Sequence, residues 1–187
     1  NMIDRAKKLA KKYFDDKGYK NAEITIRQHD DLTNKGQVIL DVDVDKQEKI
    51  KVHQIILEGN HALSDSKIKG GLLKKGAFSK THEAGKLSTF LKSKKYTPER
   101  FKKDKQKLID KYNEYGYRDA VIVKDSVSNY DKKHVDIYVK IDEGQKYYIR
   151  NITWVGNTVY STDYLMAVLG MKKGDVYNQK LLNKRLT

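Results

Sequence analysis

With 38% hydrophobic and 34% charged residues, a chain of 187 residues is too lean for one large core and suits several small modules. Thirteen tyrosines argue against disorder, the single proline leaves no Pro-rich linker, and the lack of cysteine excludes disulfides and thiolate metal sites. The net charge of +14, with Lys and Glu interleaved, reads as a lysine-rich solvated surface or as a match for an anionic partner.

The chain opens on NMIDRAKKLAKKYF, with no visible signal peptide, so export would make this stretch part of a longer chain. No apolar run approaches the ~20 residues that span a bilayer as a helix. The opening stretch predicts a helix with Ala6, Leu9 and Tyr13 on one face and Ala10 and Phe14 beside them. DKGYKNA follows at 16–22, then two strands. Val38, Leu40, Val42 and Val44 alternate with Asp41, Asp43 and Asp45. The shared aspartate face invites a metal, but reads better as a solvated face whose opposite side is buried.

KIKVHQIILEG (49–59) predicts an apolar strand, and Gly59-Asn60 a turn. Ser64 can N-cap a short helix carrying Ile68, Leu72 and Leu73 and ending near Gly76. Residues 77–96 read as an irregular, basic insertion. Thr97-Pro98-Glu99 then supplies a cap, a proline at the first helical position and an early acid. Phe101, Leu108, Ile109 and Tyr112 share one face of the helix that follows, and Lys102, Lys103, Lys105 and Lys107 mostly take the others. EYGYRDA (114–120), a strand over 120–127, the turn NYDKK and the strand HVDIYVKID complete a β-α-α-β-β order. Beyond residue 145 come another strand, the turn Gly156-Asn157, a helix with Leu165 and Leu169, and the opening of a further helix.

These features repeat. Gly18-Tyr19 and Gly116-Tyr117 lie 98 residues apart, and Gly59-Asn60 and Gly156-Asn157 lie 97 apart. The strand Val38-Leu40-Val42-Val44 returns 97 residues later as Val135-Ile137-Val139-Ile141. One complete unit therefore runs over 47–144, with the second half of a unit at 1–46 and the first half of another at 145–187. Within each Gly-Tyr pair, glycine can take the left-handed conformation that stops a helix. The following tyrosine then meets the aromatic five residues earlier, Tyr112 for Tyr117 and Phe14 for Tyr19.

A β-α-α-β-β unit with a strand ending in EGN, a helix ending in YNEYGYRDA and a last strand running into VKIDEGQKYYIRNITWVGN resembles the POTRA domain. The resemblance covers essentially the whole chain and is to the tandem POTRA arrays of outer-membrane protein assembly factors. DVDVDKQEK departs from the acid-glycine pair usual at such a boundary, and the 77–96 insertion lengthens the middle unit. The resemblance implies an α+β fold of tandem modules, each a three-stranded mixed sheet packed under two helices. It also implies a non-enzymatic periplasmic scaffold, without cofactor, joined to a C-terminal membrane barrel outside this chain. The implied partners are unfolded outer-membrane β-barrel proteins and accessory lipoproteins, and nucleic acid is not expected.

An exposed sheet edge can accept an extended peptide through main-chain hydrogen bonds. By family topology that edge is the strand of Ala120, Val121, Ile122, Val123, Lys124, Asp125, Ser126 and Val127, blunted in part by its charged pair. The rival classes are a POTRA array from another exporter or assembly factor, a basic KH-like nucleic-acid module, and an enzyme. A KH module needs a GXXG loop, and no two glycines have that spacing. Gly71 and Gly76 have phosphate-loop spacing, but Ala77-Phe78 stands where Lys-Ser/Thr is needed. The histidines at 29, 53, 61, 82 and 134 make no HExxH pair, and no GxSxG occurs.

Overall fold

The computed structural model describes residues 2–70, 76–79, 81 and 95–186. In chain order the elements are α1 (Met2–Asp16), β1 (Glu23–Asp30), β2 (Val38–Asp45), β3 (Lys51–Glu58), α2 (Asp65–Lys69), α3 (Pro98–Glu114), β4 (Val121–Asn129), β5 (His134–Asp142), α4 (Thr162–Leu169) and α5 (Gln179–Leu186). The fold is α+β, with a two-stranded sheet β1-β2 and a three-stranded sheet in the order β3-β5-β4.

The larger sheet is mixed. The Lys51 amide donates to the Lys133 carbonyl at 2.9 Å, Gln54 reaches Asp136, and Lys140 reaches Glu58, so β3 and β5 run parallel. β4 turns back into β5 through a tight loop in which the Tyr130 amide donates to the His134 carbonyl, and that pair is antiparallel. β5 shows strict alternation, with Val135, Ile137, Val139 and Ile141 all buried on one face. In β3 the buried positions change phase, from Val52 to Ile55. His53 and Gln54 both reach the one carboxylate of Asp136, so two residues of β3 oppose one of β5, as in a β-bulge.

The chain divides into two compact units. One comprises Asn1–Ile55, Lys80–Lys103 and Val127–Ile137, and the other Ile56–Ser79, Asp104–Ser126 and Tyr138–Thr187. The first is centred on Ile24, Ile50, Val52, Ile55, Phe101, Val135 and Ile137. The second buries Leu63, Ile68, Phe78, Leu108, Tyr112, Val139, Ile141, Leu169 and Met171. α3 thus shows the expected face with Phe101, Leu108 and Tyr112 buried, and its start is capped by Thr97 Oγ1 accepting from the Arg100 amide at 3.1 Å.

Three sequence expectations are corrected. On α1, Ala6, Leu9 and Tyr13 are exposed, and the partly covered apolar residues are Ile3, Ala10 and Phe14. These last repeat the i, i+7, i+11 spacing of Phe101, Leu108 and Tyr112, so the helix turns the corresponding face inward. The apolar side of β2 is not buried: among the described residues β2 pairs with β1 alone, and Leu40 and Val42 remain 52% and 56% exposed. The strand expected after residue 145 forms only one bridge, Tyr148 to Val176. Strand propensity makes no ladder without a neighbouring strand, and none borders residues 149–155 among the described residues. Leu72, Leu73, His82 and most of the 77–96 insertion lie outside the described residues.

Candidate functional site

The recurring Gly-Tyr pairs end their helices by the same backbone geometry. The Gly116 amide donates to the Asn113 carbonyl at 3.2 Å and the Tyr117 amide to Tyr112 at 3.0 Å. In the first copy Gly18 donates to Asp15 and Tyr19 to Phe14, both at 2.9 Å. These are the 5→2 and 6→1 bonds of a Schellman stop, with φ of +91° at Gly116 and +89° at Gly18. The aromatic contacts follow, edge-on, at 6.0 Å for Tyr112–Tyr117 and 6.3 Å for Phe14–Tyr19.

Each stop also joins its repeat to the next. In the first unit, the Gly18 carbonyl accepts from the Ile50 amide at 3.0 Å, and the Ile50 carbonyl from the Tyr96 amide at 2.8 Å. In the second, the Gly116 carbonyl accepts from Tyr147 at 2.9 Å, and the Tyr147 carbonyl from Tyr177 at 3.0 Å. A Cβ on Gly18 would stand 2.9 Å from the Tyr96 oxygen. One on Gly116 would stand 2.6 Å from Val176 Cγ1. The glycines are thus required both for positive φ and for close approach by the next repeat. The bridges Lys51–Lys95 and Tyr148–Val176 are equivalent, but 44 residues separate the first pair and 28 the second. The first connection is therefore 16 residues longer.

Side chains fasten the two junctions differently. The first places Lys49 Nζ 4.7 Å from the Tyr19 ring centre, and Lys20 donates to Asn129 at 2.8 Å. In the second, Arg118 lies 4.3 Å over the Tyr147 ring and Tyr147 donates its hydroxyl to Asp119. That hydrogen bond, aided by Arg118, holds the Asp119 carboxyl below the usual carboxylate range. Lys180 pairs with Glu114 at 2.6 Å. Tyr112, whose ring is buried at this helix end, gives its hydroxyl to Glu143. Burial and that carboxylate raise its pKa strongly. Glu143 also accepts from the Ala62 amide at 2.9 Å.

The Gly-Asn turns recur as well. Asn60 donates to the Leu63 carbonyl at 3.0 Å and Asn157 to the Tyr160 carbonyl at 3.2 Å, with φ of +83° at Gly59 and +76° at Gly156. Gly59 backs onto β5, where a Cβ would meet the Ile141 oxygen at 2.1 Å; at Gly156 nothing among the described residues lies within 4 Å.

Of the residues expected at the peptide-accepting edge, Ala120 is buried just before the strand, and Val121, Ile122, Val123, Lys124, Asp125, Ser126 and Val127 lie on β4. Among the described residues β4 is an outer strand, bordered only by β5. Val121 and Val123 are 51% and 59% exposed, Ile122 and Val127 partly covered, and Asp125 pairs with Lys105 of α3 at 2.9 Å. Glu58 pairs with Lys140 at 2.6 Å and accepts from Tyr138. Lys140 first, then Tyr138, lowers the Glu58 pKa. His53, on Asp136 at 2.8 Å, stacks on Tyr130 with ring centres 3.7 Å apart. Sequence reasoning did not single out the His53–Asp136–Tyr130 group, although polar residues between Val52 and Ile55 break the strand alternation. Asp41 and Asp43 engage His29 and Arg27 at 3.1 and 2.6 Å.

A family model described as POTRA, surface antigen variable number repeat, matches residues 50–144 and 147–187. A Treponema pallidum protein described as an outer membrane protein assembly factor is 26% identical over 173 residues, covering 90% of this chain and 19% of that protein. The outer membrane protein assembly factor BamA of Neisseria meningitidis serogroup B is 26% identical over 148 residues, 78% of this chain and 18% of that protein. The chain thus spans less than a fifth of either relative. The fold is similar to the crystal structure of Haemophilus influenzae BamA POTRA3-5, at a TM-score of 0.51 and 18% identity over 100% of this chain and 68% of that one.

Proposed function

The chain belongs to the POTRA family, and from that premise we propose that it is the tandem-POTRA scaffold of a periplasmic outer-membrane protein assembly factor. Its repeats are the end of one domain at 1–46, a complete domain at 47–144 and the start of another at 145–187. The family matches at 50–144 and 147–187 support that division. Its role is binding rather than catalysis. Unfolded β-barrel precursors are held in extended form along β4, accessory lipoproteins dock elsewhere on the array, and a membrane barrel completes the protein.

The observation that carries the reading is the position of β4 at the outside of the sheet, with Val121 and Val123 exposed on it. Main-chain pairing to such an edge makes little demand on the sequence of the guest, which suits a scaffold serving many precursors. A benzoylphenylalanine photocrosslinker at Val121 or Val123 should capture an unfolded β-barrel precursor in higher yield than one at Lys102, on the outward face of α3. Equal yields would sink the proposal.

A further inference from the structure

We propose that β4 selects its guest by side-chain pattern as well as by main-chain pairing, with Val121, Val123 and Asp125 as the residues that set the pattern. The accepted class is a strand with apolar residues at every second position on one face, ending in a polar residue on that face. The inference rests on the β4 reading above and narrows what that edge takes.

The hairpin fixes which main-chain groups of β4 point outward. The Tyr130 amide donates to the His134 carbonyl, so these two residues face each other as a hydrogen-bonded pair. Along an antiparallel strand the hydrogen-bonding direction alternates from residue to residue. Ser126, Lys124 and Ile122 therefore turn their amides and carbonyls toward β5, while Asp125, Val123 and Val121 turn theirs to the outside. Two side-chain contacts agree with this register. It sets Lys124 opposite Lys140, and both cations act on the Glu58 carboxylate. It sets Asp125 opposite Val139, on the buried side of β5, and Asp125 accepts from Lys105 of α3 at 2.9 and 3.0 Å.

A guest strand paired to this edge lays the side chains of its bonded residues on the α3 side, beside Val121, Val123 and Asp125. The residues between them fall on the other side, beside Ile122, Lys124 and Ser126. The two sides differ in chemistry. On the α3 side both valines are more than half exposed. The chain reverses between α3 and β4, and one helical turn, about 6 Å, matches about two strand residues. Ile109, half-buried and one turn beyond Lys105, thus comes level with Val123. The valines and Ile109 make an apolar shelf, closed at one end by the Lys105–Asp125 ion pair. On the other side Lys124 and Ser126 are exposed and ask nothing apolar of the guest.

Apolar guest residues on the shelf cover valine surface that water otherwise touches. An apolar residue opposite Asp125 would instead strip water from the ion pair without replacing it. Alternation that stops at a polar residue is the pattern of a membrane-spanning β-strand near its end. A segment with the same apolar residues in one block sets only every other one on the shelf and exposes the rest.

The test compares two labelled synthetic peptides of one composition, valines alternating with serines in one and grouped in the other, by fluorescence anisotropy with the full chain. The alternating peptide should bind about tenfold more tightly. Val123→Ser should reduce that advantage to about twofold or less, with circular dichroism and melting temperature unchanged. Equal binding of the two peptides, with photocrosslinking at Val121 and Val123 intact, overturns the selection and leaves β4 an unselective edge. A preference for alternation that ignores Val123→Ser overturns the shelf as its cause. Loss of peptide binding and photocrosslinking together overturns the β4 site itself.

Discussion

The junction at Gly18 and the junction at Gly116 are made by one backbone scheme and fastened by different side chains. In both, a left-handed glycine ends a helix and offers its carbonyl to the amide of a residue further along the chain. That residue is Ile50 in the first junction, 2% exposed, and the half-buried Tyr147 in the second, held by Arg118 and Asp119. At the motif position that carries Asp119, the first copy carries Asn21, which donates to the Lys132 carbonyl at 2.5 Å instead. The difference teaches that the glycine, not the surrounding chemistry, is what the joint cannot vary. Side chains around it set how the joint responds to truncation, pH and salt.

The largest effects should therefore fall on the glycines. Gly116→Val places a β-branched side chain at φ +91°, with its Cβ 2.6 Å from Val176. We expect a loss of about 3–5 kcal/mol in urea denaturation, strain and overpacking combined. Gly18→Val should lose a comparable amount. Gly36→Val supplies the control, because Gly36 has φ +81° but nothing among the described residues within 4 Å, leaving only the conformational strain. Unchanged thermal stability of the Gly116 variant, or equal losses at all three positions, would break the close-approach account.

Next in size is the pair at the clamped residue. Ile50→Ala should cost about 2–4 kcal/mol, as expected for a buried aliphatic truncation. Tyr147→Phe removes one charge-assisted hydrogen bond between solvent-screened groups and should cost clearly less than Ile50→Ala. If the two losses are equal, the contrast between an apolar and a polar joint fails.

Much of this architecture was legible in the sequence, for identifiable reasons. Positive-φ glycines and capping asparagines leave few substitutes, so Gly18, Gly59, Gly116 and Gly156 marked the period directly. β5 alternates strictly because one of its two faces is buried. The rest depends on partners distant in the chain. That the Gly116 carbonyl accepts from Tyr147 is a main-chain bond without a side-chain signature. The α1 face was misassigned because Leu9 and Tyr13 are as apolar as Ile3 and Phe14, and only packing chooses between them. The outer position of β4 followed from family topology rather than from any residue in it. The bulge at His53-Gln54 left a readable trace, buried residues three apart, which a strict period of two passes over.

The pH response separates the joints more finely. Asp119 has its folded pKa depressed by the Tyr147 hydroxyl and then by Arg118. A depressed carboxylate stabilises the fold above its unfolded value, near 3.9, and that contribution is lost as pH falls through the lower folded value. Thermal melts from pH 6 downward should show a loss below about pH 4 that Asp119→Asn diminishes. Asn21→Asp should not reproduce it, because the first junction offers no hydroxyl in the place of Tyr147. A profile unchanged by Asp119→Asn would remove that carboxylate from the account.

The smallest effect belongs to Lys180 and Glu114, paired at 2.6 Å on the outside of the second junction. Lys180 is 72% exposed and Glu114 35%, so water and salt screen their attraction, and holding a lysine in one rotamer costs entropy. Lys180→Gln should change stability by about 0.5 kcal/mol or less in dilute buffer, fading in molar salt. The neighbouring Asn178 side chain donates to the Glu114 carbonyl at 3.1 Å, so Asn178→Ala tests a neutral tie at the same helix end. That tie should be insensitive to salt. If Lys180→Gln costs more than Tyr147→Phe and resists salt, the peripheral ion pair, rather than the tyrosine clamp, carries the second junction.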